Sequence, residues 1–177
     1  LQRPLRFPAL GWSAFALAAI GTAGATWAIL WGKATVLYTF YPPLQAHPAF
    51  YIGLTLVVVG SWLWSADIIA TYRAWRREHQ EAPVPLAVHG LLATIIVWLI
   101  ATVGVAAEML FQLIPWSLGI TDRVDPMLAR MLFWYFGHPL VYFWLLPAYV
   151  VWYTVLPRVA GGKLFSDALG RMVFALF

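Results

Sequence analysis

The sequence predicts an all-α, polytopic transmembrane helix bundle, and three observations carry that prediction. Hydrophobic residues make up 63% and charged residues 10% of the 177-residue chain, with a mean hydropathy of +0.79, against roughly 25% charged residues in a soluble domain. Four apolar runs are each long enough to cross a hydrocarbon core of about 30 Å, which takes about 20 helical residues. None of the runs alternates strictly between apolar and polar residues, as the strands of a membrane barrel do. A 19.9 kDa globule cannot hide this much apolar surface, so the solvent that matches the chain is lipid.

The runs cover about residues 10–31, 50–72, 91–113 and 132–156, and a fifth begins near residue 168. Between them lie Tyr41-Pro42-Pro43, Arg76-Arg77-Glu78, Pro83-Val84-Pro85, Asp122-Arg123 and Gly161-Gly162-Lys163, whose prolines, glycines and charges end helices. The chain opens on Leu1 and stops inside an apolar stretch, and no basic segment with a short apolar core reads as a signal peptide. The expectation is one transmembrane domain, residues 1–177, as a piece of a longer polypeptide. In the first run Gly21, Gly24, Ala25 and Ala28 give small-xxx-small spacings, which let helices approach closely.

Charge sets the direction. Arg3, Arg6, Arg73, Arg76, Arg77, Arg158, Lys163 and Arg171 flank one side of the spans, and Lys33, Arg123 and Arg130 flank the other. The positive-inside rule then places the N-terminus, the Arg73–Pro85 loop and the Arg158–Arg171 loop in the cytoplasm. The net charge of +4 and the isoelectric point near 9.6 are spread over loops and not pooled in a patch. Nucleic acid is therefore no expected partner, and membrane lipid is. The absence of cysteine excludes disulfides, zinc–thiolate sites, iron–sulfur clusters and a thiol nucleophile.

The fourth run carries the chemistry. Asp125-Pro126 is a helix start, with Asp as N-cap and Pro at the first helical position, where its missing N–H costs nothing. His138 lies roughly 18 Å further along the axis, well inside the hydrocarbon layer. An ionisable group there is costly and marks a functional site by default. On a helical wheel Trp134, Tyr142, Tyr149 and Tyr153 all fall within about 60° of His138. The i,i+4 spacing makes His138 and Tyr142 direct neighbours. Spacing alone leaves two roles open for the imidazole, an interhelical hydrogen bond or a metal ligand. Pro139 and Pro147 interrupt the backbone bonding of the same helix, which membranes tolerate only where neighbours re-satisfy the carbonyls.

Gly137-His138-Pro139-Leu140-Val141-Tyr142, followed by Phe143-Trp144-Leu145-Leu146-Pro147, resembles the copper-binding helix of subunit I of haem–copper terminal oxidases. The commonest branch has Glu where this chain has Leu140. That departure, with Lys33-Ala-Thr-Val-Leu-Tyr-Thr-Phe-Tyr-Pro-Pro-Leu44 and Ala160-Gly-Gly-Lys-Leu164, resembles the B-type cytochrome c oxidases. The resemblance runs from about Lys33 onward. It implies that His138 is one of three imidazoles on a copper ion facing a high-spin haem, and an imidazole suits copper. It also implies that Tyr142 is covalently joined to that His and supplies an electron and a proton when the O–O bond breaks. Tyr149, Tyr153 and Ser166 match the family's cytoplasmic proton path. Trp134 and Tyr38 resemble residues beside the haem and the oxygen channel, with plain packing left open for both.

The same resemblance implies electrons from cytochrome c, a partner subunit II with a copper entry site, the remaining helices of subunit I, and a prokaryotic plasma membrane. The ligands of the low-spin and high-spin haems and the other copper histidines are expected outside this chain. Of its four histidines, His47, His79 and His89 fall in loops or at a span end. Nitric oxide reductases of the same superfamily keep the His but lack the Tyr, so Tyr142 argues against that alternative. A catalytically silent scaffold is the other, with the aromatic stripe as packing alone. Asp67, within reach of Tyr72 and Arg73, and the deeper Glu108 read either as proton relays or as hydrogen-bonded structural acids.

Overall fold

The computed structural model describes residue 1 and residues 3–177. Its long helices are α1 (Pro8–Leu30), α2 (Pro48–Glu78), α3 (Leu86–Glu108) and α5 (Pro126–Thr154). A π-helical turn, Met109–Leu113, joins α3 to the short α4 (Ile114–Ser117), and α6 (Leu156–Val159) and α7 (Asp167–Leu176) follow α5. Among the described residues the fold is all-α, with four helical stretches long and apolar enough to cross a membrane.

Helix starts follow local chemistry. Pro8, Pro48 and Pro126 each occupy the first turn, where φ is pre-set and no donor is lost. The Asp125 carboxylate accepts from Met127 N at 2.9 Å and Leu128 N at 3.1 Å. The His47 Nδ1 accepts from Ala49 N at 3.2 Å in the same way. α1 takes its cap from another helix: the Asp67 carboxylate of α2 accepts from Phe7 N, immediately before Pro8. Pro115 has no N–H to offer the preceding turn, and the wider π turn just before it absorbs that loss.

The helices pack as two antiparallel pairs, α1 on α2 and α3 on α5, with a shorter seam between α2 and α3. Small residues set the first pair's spacing. Gly21, Ala25 and Ala28 of α1 are buried, and a Cβ on Gly53 would sit 2.8 Å from Ala25 N. In the second pair a Cβ on Gly104 would lie 2.7 Å from Leu132 O. Without a hydrophobic drive between helices in lipid, such close approach is what holds them, together with polar bonds across the seam. Trp98 Nε1 donates to Ser61 Oγ, and Trp62 Nε1 to Thr102 Oγ1, both at 2.7 Å.

One end of the bundle gathers the N-terminus, the 79–85 loop and the start of α7. Arg3 pairs with Glu78 at 2.9 Å and Arg171 donates to Val84 O at 2.7 Å. The opposite end holds the loop between α1 and α2 and the short α4, joined by Gln45 Nε2 donating to Trp116 O at 3.0 Å. There Phe40 takes a positive φ of 41°, a conformation that costs a bulky residue energy. Its ring is buried edge-on against Phe133 at 5.1 Å and Phe50 at 6.0 Å, and that packing holds it.

Candidate functional site

His138 sits mid-way along α5, on the side that no helix of this chain covers; its side chain is exposed. Its Nε2 lies 2.8 Å from Tyr142 Oη, with the rings nearly perpendicular at 4.9 Å between centroids. The helix makes this contact, because residues four apart are stacked along one face. The tautomer with a proton on Nε2 donates to the phenol oxygen and leaves the Nδ1 lone pair free. Among the described residues nothing else bonds to this ring. Pro139, next to it, leaves the Tyr135 carbonyl without its usual helical donor.

Tyr142, Tyr149 and Tyr153 all turn toward α7. Phe177 stands between the first two, 5.3 Å from the Tyr142 ring and 5.7 Å from that of Tyr149. Tyr149 and Tyr153 are stacked at 6.0 Å with 13° between planes, and Tyr153 meets Phe174 at 5.8 Å. The rings form a continuous column, but among the described residues no hydrogen bond links one phenol of this line to the next. A proton route here needs water between the hydroxyls. The far end of the column opens to a cleft beside Lys163, Leu164 and Asp167.

The remaining sequence-predicted residues lie apart from this pair. Trp134 folds its ring over Gly137, where a Cβ would be 2.9 Å from it, and packs edge-on to Phe133. Tyr38 is 82% exposed in the loop between α1 and α2. Ser166 caps α7, its Oγ accepting from Leu169 N at 3.2 Å. His79 Nδ1 bonds Trp75 O, and His89 packs on Phe174.

The two membrane carboxylates differ. Asp67 is 0% exposed and neither pairs with Arg73 nor reaches solvent; one oxygen accepts from Phe7 N at 3.0 Å, and Oδ2 has no hydrogen-bond partner among the described residues. Glu108 is also 0% exposed, yet neither of its oxygens has a hydrogen-bond partner among the described residues. It precedes the π turn that carries Gln112, whose Oε1 accepts from Asp125 N at 3.2 Å and so ties α3 to the start of α5. Gln112 and the Ser61, Trp62, Trp98 and Thr102 seam escaped sequence reasoning. Only the i,i+4 pairing of Trp98 with Thr102 hints at the seam.

Among the described residues no three His, Cys, Asp or Glu side chains converge on one point. The donor chemistry of an imidazole such as His138 fits copper, and among the described residues no pair of further ligands converges beside it.

The family model described as cytochrome c and quinol oxidase polypeptide I matches residues 1–177. The chain belongs to that family. Cytochrome c oxidase subunit 1 of Thermus thermophilus is 44% identical over 168 residues, covering 95% of this chain and 30% of that protein. Cytochrome c oxidase polypeptide 1 of Halobacterium salinarum is 30% identical over 172 residues, 88% of this chain and 26% of that one. A solved structure of a heme–copper terminal oxidase dimer superposes with a TM-score of 0.94 at 51% identity, over 99% of this chain and 31% of that one. The chain thus spans under a third of the length of these oxidase polypeptide I relatives. Its helices are those of a multi-pass membrane protein.

Proposed function

We propose that this chain is part of the catalytic subunit of a respiratory terminal oxidase, which reduces dioxygen to water at a haem–copper centre. Cytochrome c supplies the electrons in this reading, and proton translocation is coupled to the reaction. The observation that carries it is the His138–Tyr142 contact at 2.8 Å, in a chain whose whole length matches the family. Subunit II and the remaining helices of subunit I complete the machine, in a prokaryotic plasma membrane with the Arg-rich end inside.

Haem iron and copper, when bound, would supply the electrons for dioxygen reduction. His138 would hold the copper through Nδ1, while Nε2 stays committed to Tyr142. That commitment fixes the ring's tautomer and its orientation, as the outer partners of metal-bound imidazoles do. Tyr142 keeps a proton at Oη and can release it together with an electron, because a phenol is neutral at rest. Tyr153 and Tyr149 would pass protons toward Tyr142 through intervening water, with Ser166 at the entrance. Trp134 shields the turn before His138, and Tyr38 stands at the outer end near the oxygen route.

The test is His138→Ala in the complete subunit, read by copper content, oxygen consumption and helical circular dichroism. Copper and oxygen consumption are lost while helicity persists. Oxygen consumption retained in that variant overturns the ligand assignment.

A further inference from the structure

We propose that the groove formed at the Arg-rich end of α1 and α2, with Arg6, Arg73 and Arg77 above a floor of Ala66, Ile69 and Ala70, binds an anionic phospholipid. The inference rests on the chain's membrane embedding and is independent of the catalytic reading. Along α2 the lining residues fall on one stripe, spaced by three or four, that is apolar at Ala66–Ala70 and cationic at Arg73–Arg77. The stripe changes character along the helix axis over roughly 16 Å. A lipid lying beside the helix has the same layout, acyl chain below and phosphate above.

The charges are free for such a ligand. Arg3 and Arg171 have carboxylate partners, and Arg76 is spent on His79 O and Ala82 O. No carboxylate pairs with Arg6, Arg73 or Arg77 among the described residues. The acid closest in sequence to the groove floor, Asp67, is fully buried and holds Phe7 N. Arg6 rests over the Phe7 ring at 5.5 Å, a contact that orients the guanidinium without neutralising it. Arginine suits a phosphate, whose oxygens it takes two at a time.

Depth agrees. Tyr72 stacks on Trp75 at 6.4 Å, and Trp75 on His79 at 5.1 Å, and such amphipathic rings settle at headgroup level. A second groove beside the first, lined by Tyr72, Arg76 and Gln80, shares Arg73 and Arg77. It gives the headgroup room on both sides of the two arginines. Basic pockets at the inner ends of membrane helices bind anionic headgroups on these physical grounds.

The experiment uses the purified complete oxidase in nanodiscs of phosphatidylglycerol or phosphatidylcholine, with bound lipid counted by native mass spectrometry after delipidation. Wild type retains phosphatidylglycerol and releases phosphatidylcholine. R73Q/R77Q loses phosphatidylglycerol affinity roughly 25-fold, about fivefold for each basic residue removed, and R73K/R77K loses less. R158Q, which removes a charge outside the groove, keeps it. Equal retention by R73Q/R77Q and wild type overturns the proposal. So does displacement by inorganic phosphate alone, which would make this a free-anion site. A copurifying polypeptide crosslinked at Ala70 in place of lipid overturns it as well.

Discussion

Asp67 and Phe7, 60 residues apart, are joined by a hydrogen bond of 3.0 Å that closes the start of α1 onto the middle of α2. Phe7 is the residue at which α1 begins, and its own side chain offers no cap. The Asp67 side chain is fully buried, and leaving a buried donor without its acceptor costs roughly 1–3 kcal/mol. Asp67→Ala therefore lowers the unfolding midpoint in detergent, measured by circular dichroism on the complete subunit. Asp67→Asn keeps an acceptor for Phe7 N and loses less. Equal stability of wild type and Asp67→Ala would show that α1 needs no cap from α2.

Gly104 sets the distance between α3 and α5. A methyl there meets Tyr135 Cδ1 at 2.6 Å and Leu132 O at 2.7 Å. The tyrosine ring can swing aside, but the backbone carbonyl of a helix cannot. Gly104→Ala then costs about 1–3 kcal/mol by overpacking, and Gly104→Leu separates the pair and moves His138. Val103→Leu, on the exposed side of the same helix, leaves stability unchanged. Thermal unfolding of the three variants checks the order.

Much of this was legible in the sequence, for reasons that particular residues make clear. Asp125-Pro126 announces its helix because both residues act locally, through φ and a carboxylate two and three residues from its donors. The His138–Tyr142 contact is equally local, since spacing by four fixes it whatever the helix packs against. That α1 can approach a neighbouring helix closely was visible in its small residues, though neither α2 as that neighbour nor the facing Gly53 was. What stayed hidden depends on distant partners. Asp67 read as a group near Arg73, because no local rule brings Phe7 back across 60 positions. The π turn at Met109–Leu113 follows from Pro115, but an apolar run gives no sign of a widened turn. The tyrosine line read as hydroxyls and is found as stacked rings, because Phe177 and Phe174 come from another helix.

Tyr153→Phe separates these two aspects of the line. The substitution keeps the ring against Tyr149 and Phe174 and removes an oxygen that has no hydrogen-bond partner among the described residues. Stability changes by less than about 0.5 kcal/mol, as for substitutions that break no contact. Turnover of the complete oxidase falls, by up to about a hundredfold if the hydroxyl is the sole carrier at that step, while the haem spectra stay as they were. Oxygen consumption equal to wild type removes Tyr153 from the proton route and leaves it as packing.

Tyr142→Phe tests the site itself from the side of the phenol. The ring still packs on Phe177, and His138 keeps its place on α5, now with Nε2 unpaired. A ligand role for His138 depends on Nδ1 and survives, with affinity reduced about 10- to 100-fold because the orienting partner is gone. Copper is therefore still taken up at saturating supply, while oxygen reduction is lost with the proton held at Oη. His138→Ala loses both. A Tyr142→Phe enzyme that turns over at the wild-type rate would make the 2.8 Å contact a positioning bond for the imidazole and nothing more.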